Sequence, residues 1–244
     1  MNTSAEGVGA LAWADADQVR LMEEKCILVD EKDQVIGSAT KKECHLNSSI
    51  RNGMLHQGKL LLQQRSDKKI TFPSHWTNTC CSHPVYYVDP TDTEKKVGIP
   101  DDWELEKEGN MGVLRAAQRK LWHELGIVSA DVPLDKFNFI TRIHYKSLDG
   151  SADGIWGEHE IDYILFITAN TTVVPRENEV SDYRYVTKEE LQELMATSEE
   201  KGLKITPWFK LIVENFIYKW WDAWLAGRIE DHFDRDSIHK LIKE

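Results

Sequence analysis

The sequence of 244 residues is poor in the features that mark membrane proteins and nucleic-acid-binding proteins. No apolar run approaches the roughly 20 residues that a membrane-spanning helix needs. Lysine and arginine number 30 against 41 aspartate and glutamate residues, which gives a net charge of −11. A protein that binds a phosphate backbone needs a basic face. These shortages predict a protein with neither a membrane nor a nucleic acid as its partner.

Cysteine is also scarce, with four residues in the chain. They do not make a convincing disulfide framework at this length, and the neighbours Cys80 and Cys81 are awkward to bridge. Reduced thiols in an intracellular compartment are therefore predicted. Residues 1–18 are small and acidic, without a basic or arginine-rich pattern. We expect no targeting signal, a cytoplasmic location and a disordered N-terminal extension over residues 1–20.

The remaining chain, residues 21–244, mixes strand-like and helical patterns without a regular βαβ rhythm, which predicts one α+β domain. Apolar spacing predicts a helix over Met111–Leu125, and Gly126 can cap it. Thr187 and Glu190 form a capping box, and Pro207 opens a long helix. Strand-like patterns cover Cys26–Val29, Lys59–Arg65, Phe137–Tyr145, Ile161–Ile167 and Tyr183–Val186. Residues 85–110, rich in acidic residues, proline and glycine, are expected to form a surface insertion.

The stretch Phe72–Pro84 holds an unusual density of reactive side chains. It contains adjacent cysteines, hydroxyl residues and His83, whereas a core segment would be rich in Leu, Ile and Val. Judged alone, it could equally be a loop with two incidental thiols and a surface histidine. Upstream, a cationic cluster including Arg65 and Lys69 is suited to holding phosphate. Downstream, Glu158 and Glu160 alternate as the chain enters an apolar run.

Three motifs of the sequence resemble type 1 isopentenyl-diphosphate isomerase, a branch of the Nudix superfamily. They are Thr77-Asn78-Thr79-Cys80-Cys81-Ser82-His83-Pro84, Trp156-Gly157-Glu158-His159-Glu160-Ile161-Asp162-Tyr163 and Ile205-Thr206-Pro207-Trp208-Phe209. The resemblance implies a Nudix-like mixed sheet sandwiched by helices. It also implies interconversion of isopentenyl diphosphate and dimethylallyl diphosphate for isoprenoid biosynthesis. The partner is then a small allylic or homoallylic diphosphate, and the family suggests a monomer.

The resemblance assigns the residues that move protons. Shifting a double bond by one carbon adds a proton at one carbon and removes one from another, through a carbocation-like species in a water-poor site. By resemblance, Cys81 and Glu160 are the opposed acid/base groups, and Tyr145 supports the glutamate. Without the resemblance, Tyr145 would be interpreted as an aromatic residue on a strand. By resemblance, Trp208 faces the cation, which an indole stabilises by about 2 kcal/mol when desolvated.

The resemblance also implies sites for two cations and for the diphosphate. The metal set is His45, His56, His83, Glu158 and Glu160, and its donors suit Zn²⁺, Mn²⁺ or Mg²⁺. Glu124 is expected to reach a Mg²⁺ that is carried in with the diphosphate. The substrate-binding residues are Lys41, Arg65, Lys69, Ser82 and Trp208. Arg119 and Lys120 are weaker candidates, because a solvated helix face explains them equally well.

Two departures from the family pattern leave alternatives open. A Nudix hydrolase gathers metals with an Arg-Glu-x-x-Glu-Glu-x-Gly signature. The corresponding run, Arg119–Gly126, keeps only Glu124 of the three glutamates, so a diphosphate hydrolase is disfavoured. In addition, roughly a dozen residues of the family pattern, about one strand and its turn, are absent after His56. The fold could thus lack one strand, and a catalytically impaired isomerase-like protein is the main alternative.

Overall fold

The computed structural model describes residues 14–43, 47–86, 104–148 and 156–242. Their main element is an eight-stranded mixed sheet. Its strands are β3 (Asn47–His56), β4 (Lys59–Arg65), β5 (Trp76–Thr77), β6 (Cys80–Ser82), β7 (Asn138–Leu148), β8 (Gly157–Thr168), β9 (Val180–Val186) and β10 (Ile238–Lys240). The order is β10-β7-β8-β3-β4-β5, with β6 paired to β3 and β9 paired to β4. A separate hairpin joins β1 (Lys25–Val29) to β2 (Val35–Thr40).

The helices pack on both faces of the sheet. They are α1 (Ala16–Leu21), α2 (Met111–Leu125), α3 (Lys188–Thr197), α4 (Pro207–Ile212) and α5 (Tyr218–Leu225), with a π-helical turn, Val213–Ile217, between the last two. One core joins α2 to the sheet, and a second core joins α4, the π-helical turn and α5 to the opposite face. In the described part of the chain, no helix is long and apolar enough to cross a membrane.

Several local predictions are confirmed. Helix α2 covers the predicted residues and ends at Gly126, which adopts the left-handed conformation with φ 65°. The capping box of Thr187 and Glu190 is present, and Pro207 occupies the first turn of its helix. The predicted insertion, residues 85–110, lies partly outside the described residues, and its described end contains one 3₁₀ turn, Glu108–Asn110. Short apolar patterns and cap residues were therefore sufficient to place these elements.

The sheet is continuous across the shortened segment after His56. Residues 47–56, which precede the shortened segment, form β3 between β8 and β4. Strand β3 runs parallel to β8, from Asn47 opposite Glu160 to Leu55 opposite Thr168. A two-residue turn at Gln57 and Gly58, both at positive φ, then leads directly into β4. Strand β3 thus pairs with β8 on one side and with β6 and β4 on the other, so that its backbone groups find partners.

The predicted boundary of the N-terminal extension, residues 1–20, needs a correction. Ala16–Leu21 forms a helix whose N-cap, Asp15, accepts hydrogen bonds from the backbone N–H groups of Asp17 and Gln18. The Gln18 side chain is buried, and its Nε2 donates to Glu179 Oε1 over 2.9 Å. This helix therefore belongs to the folded domain. Residues 1–13 lie outside the described part of the chain.

Candidate active site

One pocket gathers most of the side chains that the sequence singled out. Its lining residues come from β6, the start of β8, α1, α2 and the start of α4. Its lining consists of Gln18, Met22, Lys41, Arg65, Lys69, Ile70, Thr71, Cys81, Ser82, His83, Lys120, Glu124, Glu158 and Trp208. Every predicted substrate-binding residue is among them. A thiol, several ammonium and guanidinium groups, carboxylates and an indole therefore share one cavity.

The two adjacent cysteines on β6 face opposite sides of the sheet, because side chains alternate along a strand. Cys80 packs against α2, and its thiol donates to Glu124 Oε2 at 3.3 Å. Burial, with help from the Glu124 charge, raises the pKa of Cys80 well above its ordinary value. Cys81 faces the pocket, where Arg65 Nη1 lies 3.6 Å from its sulfur. The Cys81 sulfur therefore has a guanidinium group as an immediate neighbour in the pocket.

Glu160 is buried directly behind the pocket wall. Its Oε1 lies 2.5 Å from His83 Nε2, and its Oε2 accepts a hydrogen bond of 3.1 Å from Tyr145. Tyr145 and Glu160 are directly paired in the β7/β8 ladder, which explains why the side chains meet. Glu158 lies two positions earlier on β8 and so points to the same face. The candidate ligand atoms of His83, Glu158 and Glu160 all lie within 4.8 Å of one another.

The structure does not bring His56 to this cluster. Glu160 is opposite Asn47 at the start of β3, whereas His56 is at its far end, with Nδ1 3.2 Å from the Ala169 carbonyl oxygen. Nine residues of strand separate the two positions, or roughly 30 Å at the usual rise per residue. The assignment of His56 as a ligand is therefore corrected. His45, the other predicted imidazole, lies outside the described residues.

Two buried lysines, Lys69 and Lys120, line the pocket. Lys69 is buried, and its Nζ lies 2.7 Å from Glu179 Oε2. Burial lowers the pKa of Lys69, and the Glu179 charge opposes that shift. Lys120 is also buried, with Nζ 3.4 Å from Glu124 Oε1. Burial alone would lower the pKa of Lys120, but the carboxylates of Glu124 and Glu179 raise it above its ordinary value. Lys120 therefore remains an ammonium ion at neutral pH.

The two weaker candidates on α2 have different environments. Lys120 lines the pocket. Arg119 instead pairs with Glu104, Nε to Oε1 at 2.7 Å, and Glu104 also accepts from the backbone N–H of Val85. Arg119 therefore holds the chain after the Cys-Cys-Ser-His motif in place and does not line the pocket.

Sequence reasoning missed Glu179 and Gln18. Glu179 is 4% exposed and holds both Lys69 and the α1 residue Gln18. Burial would raise the pKa of Glu179, but Lys69 and Lys120 hold it well below its ordinary value. In the sequence, this glutamate follows Arg-Glu-Asn, a run typical of an exposed loop, and its partner Lys69 lies far away along the chain. No local pattern could have identified it.

Trp208 closes the apolar side of the pocket. It lies in the first turn of α4 and is 1% exposed. Its ring centroid lies 5.0 Å from that of Phe72, edge to face, and 6.2 Å from that of Tyr145. The indole Nε1 donates to Thr77 Oγ1 at 2.9 Å and to Asn78 Oδ1 at 3.1 Å. The pocket thus combines an aromatic surface with acid/base groups and a charged end.

Comparisons with known proteins agree with this geometry. The NUDIX domain matches residues 51–209. An isopentenyl-diphosphate Delta-isomerase 1 of Bos taurus is 48% identical, covering 93% of this chain and 96% of that protein. An isopentenyl-diphosphate Delta-isomerase I of Camptotheca acuminata is also 48% identical, covering 95% and 97%. In fold, the crystal structure of DR0079 from Deinococcus radiodurans is similar, with a TM-score of 0.53, 16% identity and coverage of 80% and 100%.

Proposed function

The chain belongs to the isopentenyl-diphosphate isomerase family of the Nudix superfamily, and we propose that Cys81 and Glu160 are its acid–base pair. The protein is an isopentenyl-diphosphate Delta-isomerase, an enzyme of isoprenoid biosynthesis that interconverts isopentenyl diphosphate and dimethylallyl diphosphate. One observation gives the main support for the proposal. Cys81 and His83 line the same pocket, and Glu160 forms a hydrogen bond with His83 from behind the pocket wall.

The charged end of the pocket is proposed to bind the diphosphate. Lys41, Arg65 and Lys69 all line it, together with Ser82. Arg65 is held in place because its Nη2 donates to the Thr71 carbonyl oxygen at 2.7 Å and its Nε to that of Phe72 at 3.1 Å. We add Lys120 to this set, since it is buried, cationic and part of the same lining. Side chains that are already held in place lose less conformational entropy when the substrate binds, which favours binding.

The isomerisation needs one proton donor and one proton acceptor. In the direction of dimethylallyl diphosphate, the protonated carboxyl group of Glu160, which lies behind His83, is the source of the proton that adds to the terminal alkene carbon, and a tertiary cation forms. Cys81, in its thiolate form and with the Arg65 guanidinium beside it, takes a proton from the carbon next to the CH₂ group that bears the diphosphate oxygen, and the new double bond closes. Tyr145, which donates to Glu160 Oε2, orients the carboxyl group. Proton exchange with solvent then restores both groups.

A divalent ion fits beside Glu160. His83, Glu158 and Glu160 offer one nitrogen and two carboxylate donors, a set that suits Zn²⁺, Mn²⁺ or Mg²⁺. When bound, the ion would supply positive charge that fixes the Glu160 carboxyl group and tunes its proton affinity. His45, which the family pattern assigns to the same set, is proposed as a further ligand. Glu124, lining the charged end, is proposed to bind the Mg²⁺ that accompanies the diphosphate.

We also propose that the enzyme is a cytoplasmic monomer. The four cysteines of the chain do not make a convincing disulfide framework, as is usual for a protein of a reducing compartment. Light scattering is expected to give the mass of one chain, 28.2 kDa. A mass of twice that value would contradict the monomer, and exclusion of a fluorescent fusion from the cytosol would contradict the location.

The proposed function is tested by incubating the protein with isopentenyl diphosphate and Mg²⁺. Dimethylallyl diphosphate is expected as the product, with a Cys81→Ala variant as the matched inactive control. Release of inorganic phosphate or diphosphate without isomerisation would identify a hydrolase. Wild-type protein that binds the substrate without converting it would identify an impaired isomerase-like protein.

A further inference from the structure

A buried polar network lies behind the indole of Trp208. Trp208 Nε1 donates to both Thr77 Oγ1 and Asn78 Oδ1. The Thr77 hydroxyl in turn donates to Asn78 Oδ1 at 3.0 Å, and Thr206 Oγ1 donates to Thr77 Oγ1 at 2.8 Å. The exposed fractions are 0% for Thr77, 5% for Asn78 and 0% for Thr206. An indole N–H is a donor only, so these partners fix the orientation of the Asn78 amide as well.

The same network is anchored to the strand that carries Cys81. Asn78 Nδ2 donates to the Cys80 carbonyl oxygen over 2.7 Å, next to the Cys81 peptide group. On the other side, the backbone N–H of Thr206 donates to the Trp76 carbonyl oxygen at 2.9 Å, which fixes the start of α4. Asn78 therefore connects two separate elements: its carbonyl group holds the indole, and its amino group holds the peptide beside the reactive thiol.

This connection has a consequence for a cationic reaction. The attraction between a cation and an aromatic ring depends on the distance and tilt of the ring face, so an indole must be held in one orientation to stabilise a transient cation. An acceptor on the indole N–H also shifts electron density toward the ring. In a low-dielectric interior, linked hydrogen bonds strengthen one another. A preset ring would stabilise the carbocation-like species more than the neutral substrate.

We propose that Thr77 and Asn78 are positioning residues that hold the Trp208 indole against the carbocation and fix it relative to Cys81. This inference rests on the proposed function. It predicts that loss of either hydrogen bond to the indole slows the chemical step more than it weakens substrate binding. A purely structural role, in which the network only satisfies a buried N–H, predicts loss of stability without this selectivity.

The test compares Thr77→Val, which keeps the side-chain volume, and Asn78→Ala with wild-type protein. For both variants kcat is expected to fall about five- to thirtyfold, while KM changes less than about threefold. The upper value of the fall in kcat corresponds to complete loss of a desolvated cation–π contact. Thr77→Ser keeps the hydroxyl and is expected to restore most of kcat. Thr168→Val is the matched control, because Thr168 Oγ1 accepts from the indole of Trp224 at 2.8 Å, outside the pocket. It should leave kcat unchanged.

A binding measurement gives a second readout that needs no turnover. The probe is a diphosphate ester with a tertiary ammonium group at the position of the cationic carbon, and inorganic pyrophosphate is the reference ligand. Thr77→Val is expected to weaken binding of the ammonium probe by the same factor as kcat and to leave pyrophosphate binding unchanged. If both ligands lost affinity by the same factor, or if both variants kept the kcat of an active wild type, the positioning role of Thr77 and Asn78 would be refuted and the proposed function would stand. Absence of turnover in the wild type would instead overturn the proposed function.

Discussion

Glu179 offers a sharp test of how the pocket is held together. Its carboxylate lies 2.7 Å from Lys69 Nζ, with exposed side-chain fractions of 3% for Glu179 and 8% for Lys69. Replacing Glu179 by Gln leaves a buried ammonium group without its counter-charge, and breaking such a pair costs about 3 to 5 kcal/mol. For a chain of this size, each kcal/mol lowers Tm by roughly 2–4 °C. We therefore expect Glu179→Gln to lower Tm by about 6 °C or more.

The matched control is an exposed pair. Lys201 Nζ lies 3.3 Å from Glu193 Oε1, but the side chains are 52% and 70% exposed. Solvent screens such a pair, and Glu193→Gln should cost less than about 1 kcal/mol. Both variants are measured by thermal unfolding at neutral pH in the same low-salt buffer. If Glu179→Gln lowers Tm no more than Glu193→Gln does, the buried pair does not have the strength inferred here.

A double variant separates stability from substrate binding. Lys69→Met with Glu179→Leu removes both charges and replaces them with apolar side chains of similar size. The double variant should regain most of the stability that Glu179→Gln loses, because it no longer buries an unpaired ammonium group and so avoids the desolvation cost of that charge. KM for the diphosphate should nevertheless remain raised, since Lys69 is lost from the pocket lining. A double variant less stable than Glu179→Gln would refute the assignment of the loss to an unpaired charge.

Three further outcomes are expected. Cys81→Ala should reduce turnover below detection and leave the circular dichroism spectrum unchanged. Cys26→Ala, a control outside the pocket, should stay active. Normal turnover of Cys81→Ala would exclude the mechanism. Elemental analysis should show that His83→Ala loses bound divalent metal while His56→Ala keeps it, and equal metal in both would reject the proposed metal site. Burial and the charge of Lys120 lower the pKa of His123 from 6.5 to about 4, so this histidine contributes stability above pH 6.5 that is lost as the pH falls toward 4. Between those values Tm of wild-type protein should fall more steeply than that of His123→Gln, and parallel curves would contradict this.

The sequence was informative wherever a few neighbouring residues determine a conformation. Helix α2 was predicted because apolar residues recur at helical spacing and Gly126 follows as a cap. The lining residues Cys81, Ser82 and His83 were predicted from the resemblance to a known family, which one short motif carries. Tyr145 and Glu160 meet because β7 and β8 place them in direct register. In each case, local pattern and pairing of adjacent strands lead to the same arrangement.

The failures concern contacts between distant parts of the chain. The position of His56 depends on which residues pair with β8, and strand registers that differ by several residues are not distinguished by a short polar sequence. The pair Lys69–Glu179 joins a loop after β4 to a loop before β9, and only the folded sheet brings them together. Gln18 likewise gains its role from a loop about 160 residues away. Such contacts are decided by tertiary packing, which sequence periodicity does not record.

The opposite orientation of Cys80 and Cys81 has a consequence for oxidative damage. One thiol is packed against α2 and the other lines the pocket, on either side of the same strand. If a peroxide oxidised Cys81 to a sulfenic acid, Cys80 would lie on the other face of the sheet and could not act as the resolving thiol. The alternation of side chains along this three-residue strand thus removes the protection that an adjacent cysteine could give to the proposed catalytic cysteine.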